Sequence, residues 1–158
     1  MNAIFIYIVA VAVMFTCCKE APKNNLSVDA KAIFPKGQLG ATENFTGNAW
    51  NYGLVANDTA FTTLVGNVYF EPGARTNWHI HPAGQILVIT DGVGYHQIRG
   101  QPVESIRKGS VVKCPPGVEH WHGASADTGL HQLYIVPNTE KGIVVWNEKV
   151  TDEQYKGH

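Results

Sequence analysis

Along residues 40–150 apolar and polar positions alternate in short runs, with little of the 3.6-residue recurrence of an amphipathic helix. The runs fall at 60–70, 85–90, 94–98, 103–106, 110–114, 130–136 and 143–146. β-Branched and aromatic residues fill them. Glu71-Pro72-Gly73, Asp91-Gly92, Arg99-Gly100-Gln101-Pro102 and Pro115-Pro116-Gly117 break them. Strands this short and evenly spaced predict an all-β sandwich or small barrel. Thr151 is placed to cap a terminal helical turn over 151–155.

The first eighteen residues follow a different pattern. Residues 3–16 carry no charge and are apolar almost throughout, and Cys17 and Cys18 follow. The run is too short to cross a ~30 Å hydrocarbon core, which takes about 20 residues. Its length suits the apolar part of a secretory signal. A Cys closing such a run resembles a bacterial lipoprotein signal, with Cys17 or Cys18 as the lipidated residue; a plain cleaved signal or a short anchor is the alternative. The expected organisation is a signal segment with lipobox over 1–18, a solvated linker over 19–33 and one globular domain over 34–158. Each version puts the domain outside the cytoplasm, in the cell envelope or periplasm, touching membrane only through its N-terminal anchor or signal.

Composition narrows the partners. Hydrophobic residues make up 44% of the chain and charged ones 16%, which excludes the composition of a disordered chain. Twelve Lys and Arg against thirteen Asp and Glu leave a net charge of −1, without the cation surplus that nucleic acid requires. Cys114 lies in an apolar run and reads as a buried small hydrophobe.

The chemistry lies in the histidines. His79-Ile80-His81 and His120-Trp121-His122 each place two imidazoles at i and i+2, on one face of a strand. Gln85 opens the next apolar run and can bring an oxygen to the same centre. His131 begins a strand nine residues after His122. A metal ligand set drawn from adjacent strands has this form, and imidazole accepts Zn, Fe, Ni, Cu or Mn. His96 reads as an ordinary strand position, Trp78 and Trp121 as packing residues, and Arg75 as a structural cation, with binding of a substrate anion as its alternative.

Gly73-x5-His79-x-His81-x3-Gln85-x6-Gly92 resembles the first motif of the cupins, and Gly109-x5-Pro115-x-Gly117-x2-His120 resembles the second. Two positions depart from the general pattern: Gln85 replaces the usual Glu, and Ala124 an Asn. From about residue 40 to 155 the chain is similar to small bacterial cupins that include manganese-dependent hydroxynitrile lyases, where Gln at this position is normal. The resemblance implies a double-stranded β-helix, or jelly-roll barrel, that forms homo-oligomers. It implies a divalent ion, Mn first and Fe, Zn or Ni as alternatives, on His79, His81, Gln85 and His120. His122 and His131 are implied beside the metal, as general acid and base.

Three neutral His and one neutral Gln leave a divalent ion its full charge, which favours an anionic or alkoxide-like ligand. The function expected is cleavage or formation of a C–C bond in a cyanohydrin-like small molecule. A metal-dependent dioxygenase or isomerase is the alternative, as is a cupin that binds a small molecule or metal without catalysis. Leu87, Ile89, Leu133 and Ile135 are expected to form an apolar pocket wall.

Overall fold

The computed structural model describes residues 33–157. Cys17, Cys18, the signal segment and nearly all of the expected linker lie outside the described residues. Twelve antiparallel strands are present: β1 (Gln38–Leu39), β2 (Phe45–Thr46), β3 (Ala49–Val55), β4 (Thr63–Phe70), β5 (Arg75–Thr76), β6 (His79–Ile80), β7 (Gln85–Ile98), β8 (Glu104–Arg107), β9 (Val111–Cys114), β10 (His120–Ala124), β11 (Leu130–Pro137) and β12 (Val145–Trp146). A 3-10 turn covers Thr139–Lys141 and one short helix, α1, covers Asp152–Lys156. The all-β expectation holds. The exposed β3 was absent from the sequence reading, because solvent contact along most of its length removes the alternation that marks a half-buried strand.

β7 organises the barrel. Its first half pairs with β11 and β9, and its second half with β10 and β8. β1, β3, β4 and β11 extend the first side. β5 and β2 extend the second, and β6 bridges β10 and β12. Asp91-Gly92 therefore does not end a strand as expected. His131 pairs with Asp91 and Gln132 with Ile89, so Thr90 is the extra residue of a bulge. Gly92 follows at φ 82°, and a Cβ there would stand 1.9 Å from the Gly129 carbonyl oxygen. Glycine is what lets the strand bend into the other sheet instead of stopping.

Between the sheets lies a core that includes Phe70, Leu87, Ile89, Ile106, Val112, Cys114 and Leu130. A second cluster, Trp78, Trp121, Val150 and Tyr155, packs on the opposite face of the histidine-bearing strands. The Trp residues alternate with histidines along β6 and β10, so parity sends imidazoles inward and indoles under the C-terminal segment. Thr151 caps α1, accepting from the Gln154 amide while the Gln154 side chain accepts from the Thr151 amide.

Arg75 fastens that segment. Its guanidinium donates to the Val150 carbonyl at 3.1 Å and to Asp152 at 2.7 Å, and lies 4.6 Å from the Tyr155 ring. Tyr155 donates to the Ala124 carbonyl at 2.8 Å. Asp152 is largely exposed, so the ion pair contributes little; the bond to the Val150 carbonyl carries more. Arg75→Ala should lower stability by about 2 kcal/mol, chiefly by leaving a buried acceptor unpaired. Urea unfolding checks this, with the midpoint lowered and the slope unchanged.

Candidate metal centre

Three short stretches bring the histidines together. His79 lies on β6, His81 in the turn that follows, and His120 and His122 on β10. His120 pairs directly with His79 across β6 and β10, and their rings stand 4.3 Å apart. His79 lies 5.1 Å from the His81 ring and 5.2 Å from the His122 ring. All four are at least 95% buried. Among the described residues, His79, His120 and His122 have ligand nitrogens within 4.8 Å of one another. Gln85, at the start of β7, brings its Oε1 to 3.2 Å from His120 Nε2.

Hydrogen bonds set the ring polarity. Nδ1 of His79 faces the Asn77 carbonyl at 2.9 Å, that of His81 the Ile143 carbonyl at 2.6 Å, and that of His120 the Val118 carbonyl at 3.0 Å. A carbonyl only accepts, so each Nδ1 carries the proton and each Nε2 a lone pair. Burial strengthens this by disfavouring the charged ring. It holds His81 and His120 down to about 4, and His79 and His122 well below the ordinary range.

These donors fit a cation. With Nδ1 protonated, the His120 Nε2 lone pair faces the Gln85 carbonyl oxygen, two acceptors with no hydrogen between them. His81 Nε2 is buried without a partner among the described residues. A positive ion satisfies all of these atoms at once. No carboxylate belongs to the cluster.

Above it opens a cavity of about 320 Å³. Phe45, Leu64, Val68, Phe70, Val136 and Trp146 contribute its apolar wall, and among the described residues no Asp, Glu, Lys or Arg lines it. The wall differs from expectation. Leu87 and Ile89 are sealed in the core beneath. On β11 the inward phase belongs to Leu130, Gln132, Tyr134 and Val136, which turns Leu133 and Ile135 to the other face.

The same phase relocates His131. It stands on the outer side of β11, stacked on Tyr69 with ring centroids 4.3 Å apart. The inward neighbour is Gln132, fully buried, with its amide nitrogen 3.0 Å from His122 Nδ1. Sequence reasoning passed over Gln132 because it weighed residue type before strand phase; Leu130 and Phe70, paired and both buried, supply that phase. His96 occupies a strand position in β7, as expected. It is buried 5.8 Å from the His120 ring, with Nε2 3.5 Å from Cys114 Sγ.

A family model described as a cupin domain matches residues 66–136. The chain is 50% identical over 90 residues to (R)-mandelonitrile lyase from Granulicella tundricola, covering 57% of this chain and 69% of that protein. It is similar to a solved cupin-like protein from Thermotoga maritima, with a TM-score of 0.77 and 46% identity, covering 79% of this chain and 95% of that one. Acireductone dioxygenase from Schizosaccharomyces pombe is 28% identical over 80 residues, and the chain spans only 45% of its length.

The buried rings give a pH dependence of defined sign. An unfolded imidazole takes up its proton near 6.5, whereas folded His81, His96 and His120 do so only near about 4. The unfolded chain thus binds more protons between these values. The stability carried by the neutral rings is complete above pH 6.5 and is lost as pH falls through about 4. Metal-free protein should show a urea midpoint that declines steadily from pH 7 to 4.5; a flat profile there contradicts the assignment.

Proposed function

The chain belongs to the cupin family, and from that premise we propose a metal-dependent enzyme that makes or breaks a C–C bond at a hydroxyl-bearing carbon, as a cyanohydrin lyase does. The observation that carries this is a set of uncharged donors converging beneath an uncharged, largely apolar cavity. The 50% identity to (R)-mandelonitrile lyase supports it.

In this reading His79, His81, Gln85 and His120 hold a divalent ion, Mn first and Fe, Zn or Ni as alternatives. Such an ion, when bound, supplies Lewis acidity toward a substrate oxygen without the partial neutralisation a carboxylate ligand would bring. His122 exchanges the proton. In cleavage it takes the hydroxyl proton at Nε2 as the C–C bond breaks, then returns it to the departing cyanide, so hydrogen cyanide and a carbonyl compound leave. Addition uses the same groups in reverse. Phe45, Phe70 and Trp146 receive an apolar substituent and keep water from the reacting carbon. The missing charged groups favour a neutral small substrate over a carboxylate, which would enter without a counter-ion. His131, on the outer side of β11, takes no part in this scheme.

Similarity to acireductone dioxygenase motivates a second reading in which the same donors serve oxygen chemistry. Localisation in the cell envelope through a lipid anchor, and homo-oligomer formation, remain part of the proposal.

Manganese-loaded protein given mandelonitrile should release benzaldehyde, followed by ultraviolet absorbance, and a chelator-treated sample should not. Equal rates in the two samples would overturn the lyase reading, and oxygen uptake with diketone substrates would favour the other. His122→Ala should keep bound metal yet reduce kcat by about 10²–10⁴-fold.

A further inference from the structure

Four imidazoles share the centre, but their Nδ1 atoms do not have the same kind of partner. His79, His81 and His120 each face a backbone carbonyl, which fixes their proton on Nδ1. His122 faces a carboxamide, which offers a donor at one end and an acceptor at the other. Here the amide nitrogen is turned toward it, at 3.0 Å. An amide hydrogen donated to Nδ1 requires a lone pair there, so the ring proton sits on Nε2.

We infer that Gln132 is a positioning residue that selects the tautomer of His122, so that in the resting protein this imidazole offers an Nε2–H to the cavity and is not a fourth imidazole ligand. The inference rests on the lyase reading only for its consequence, not for its geometry. His122 Nε2 has no partner among the described residues, so its hydrogen is free for a cavity ligand. Gln132 Oε1 is likewise unpartnered, and Gln132 lines the cavity, so a bound hydroxyl can satisfy it. In the opposite amide orientation, Oε1 accepts from Nδ1–H and the amide nitrogen loses its contact with the ring. Unpaired buried donors are rarer than under-satisfied carbonyl oxygens, which favours the orientation seen.

The consequence separates His122 from its neighbours. Its Nε2–H donates a hydrogen bond to an oxygen in the cavity, whereas the other three rings present lone pairs at Nε2. Before Nε2 can take up a hydroxyl proton the ring must exchange tautomers through water, losing the proton on Nε2 and gaining one on Nδ1, while the amide turns so that Oε1 accepts from Nδ1–H.

The test reads the rings directly. Long-range ¹H–¹⁵N NMR of metal-free protein, with imidazoles assigned through single His→Gln variants, reports which nitrogen of each ring is protonated. His79, His81 and His120 should be Nδ1–H, and His122 alone Nε2–H. Added Zn should shift the Nε2 signals of those three and leave the His122 N–H in place. Gln132→Met, which cannot donate, should abolish the His122 preference while the other three spectra persist and report an intact site. Gln132→Asn should restore it in part. Protonation of His122 on Nδ1 in the unaltered protein, or zinc at its Nε2, overturns the inference, as does an unchanged His122 in Gln132→Met. If that variant does not fold, the unaltered protein's spectra alone decide. Because no substrate is present, failure of the lyase assay leaves this result untouched.

Discussion

Burying several imidazoles side by side with no carboxylate among them is the constraint the rest of the structure serves. Each ring stays neutral, since burial strips the hydration that a charged imidazole needs. Each must also be aimed, since a neutral imidazole is donor on one side and acceptor on the other. The backbone does both. His79 and His120 each bind the carbonyl two residues before them, Asn77 and Val118, so the two strands use one local device. His81 reaches instead to Ile143, and its orientation depends on the chain approaching β12. The centre is therefore built from main-chain geometry, and the fold must hold that geometry still.

Holding it still falls to the far side of the same strands. Trp78 and Trp121 lie back to back with the histidines and are buried in a cluster with Val150 and Tyr155 of the C-terminal segment, with Arg99 over the Trp78 ring. Arg75 and Tyr155 tie that segment to β5 and β10. A position chosen for packing thus alternates with one chosen for chemistry, and neither can slip by a residue without exchanging the two faces.

Much of the site could be read from the chain because its spacing is local. The i and i+2 histidine pairs and Gln85 meet as their strand parity requires, and the all-β architecture follows from the turn residues. Two things were hidden. Asp91-Gly92 has the composition of a hairpin end, yet Gly129 packs so closely on Gly92 that the strand bends there and continues. On β11 the alternation is plain but its phase is not, because apolar residues occupy both faces; Leu133 and Ile135 are as aliphatic as Val136. Only pairing with β4 tells which set faces inward, and that single-residue choice decides between His131 and Gln132 as the neighbour of His122.

Cys114 has a different use for the experimenter. Burial pushes its thiol up to about 12, and it faces His96 within the core. Alkylating reagents attack the thiolate, so this sulfur stays inert while the barrel is closed. Labelling at Cys114 consequently times the barrel's own opening, and a routine chemical modification becomes a clock for its fluctuations.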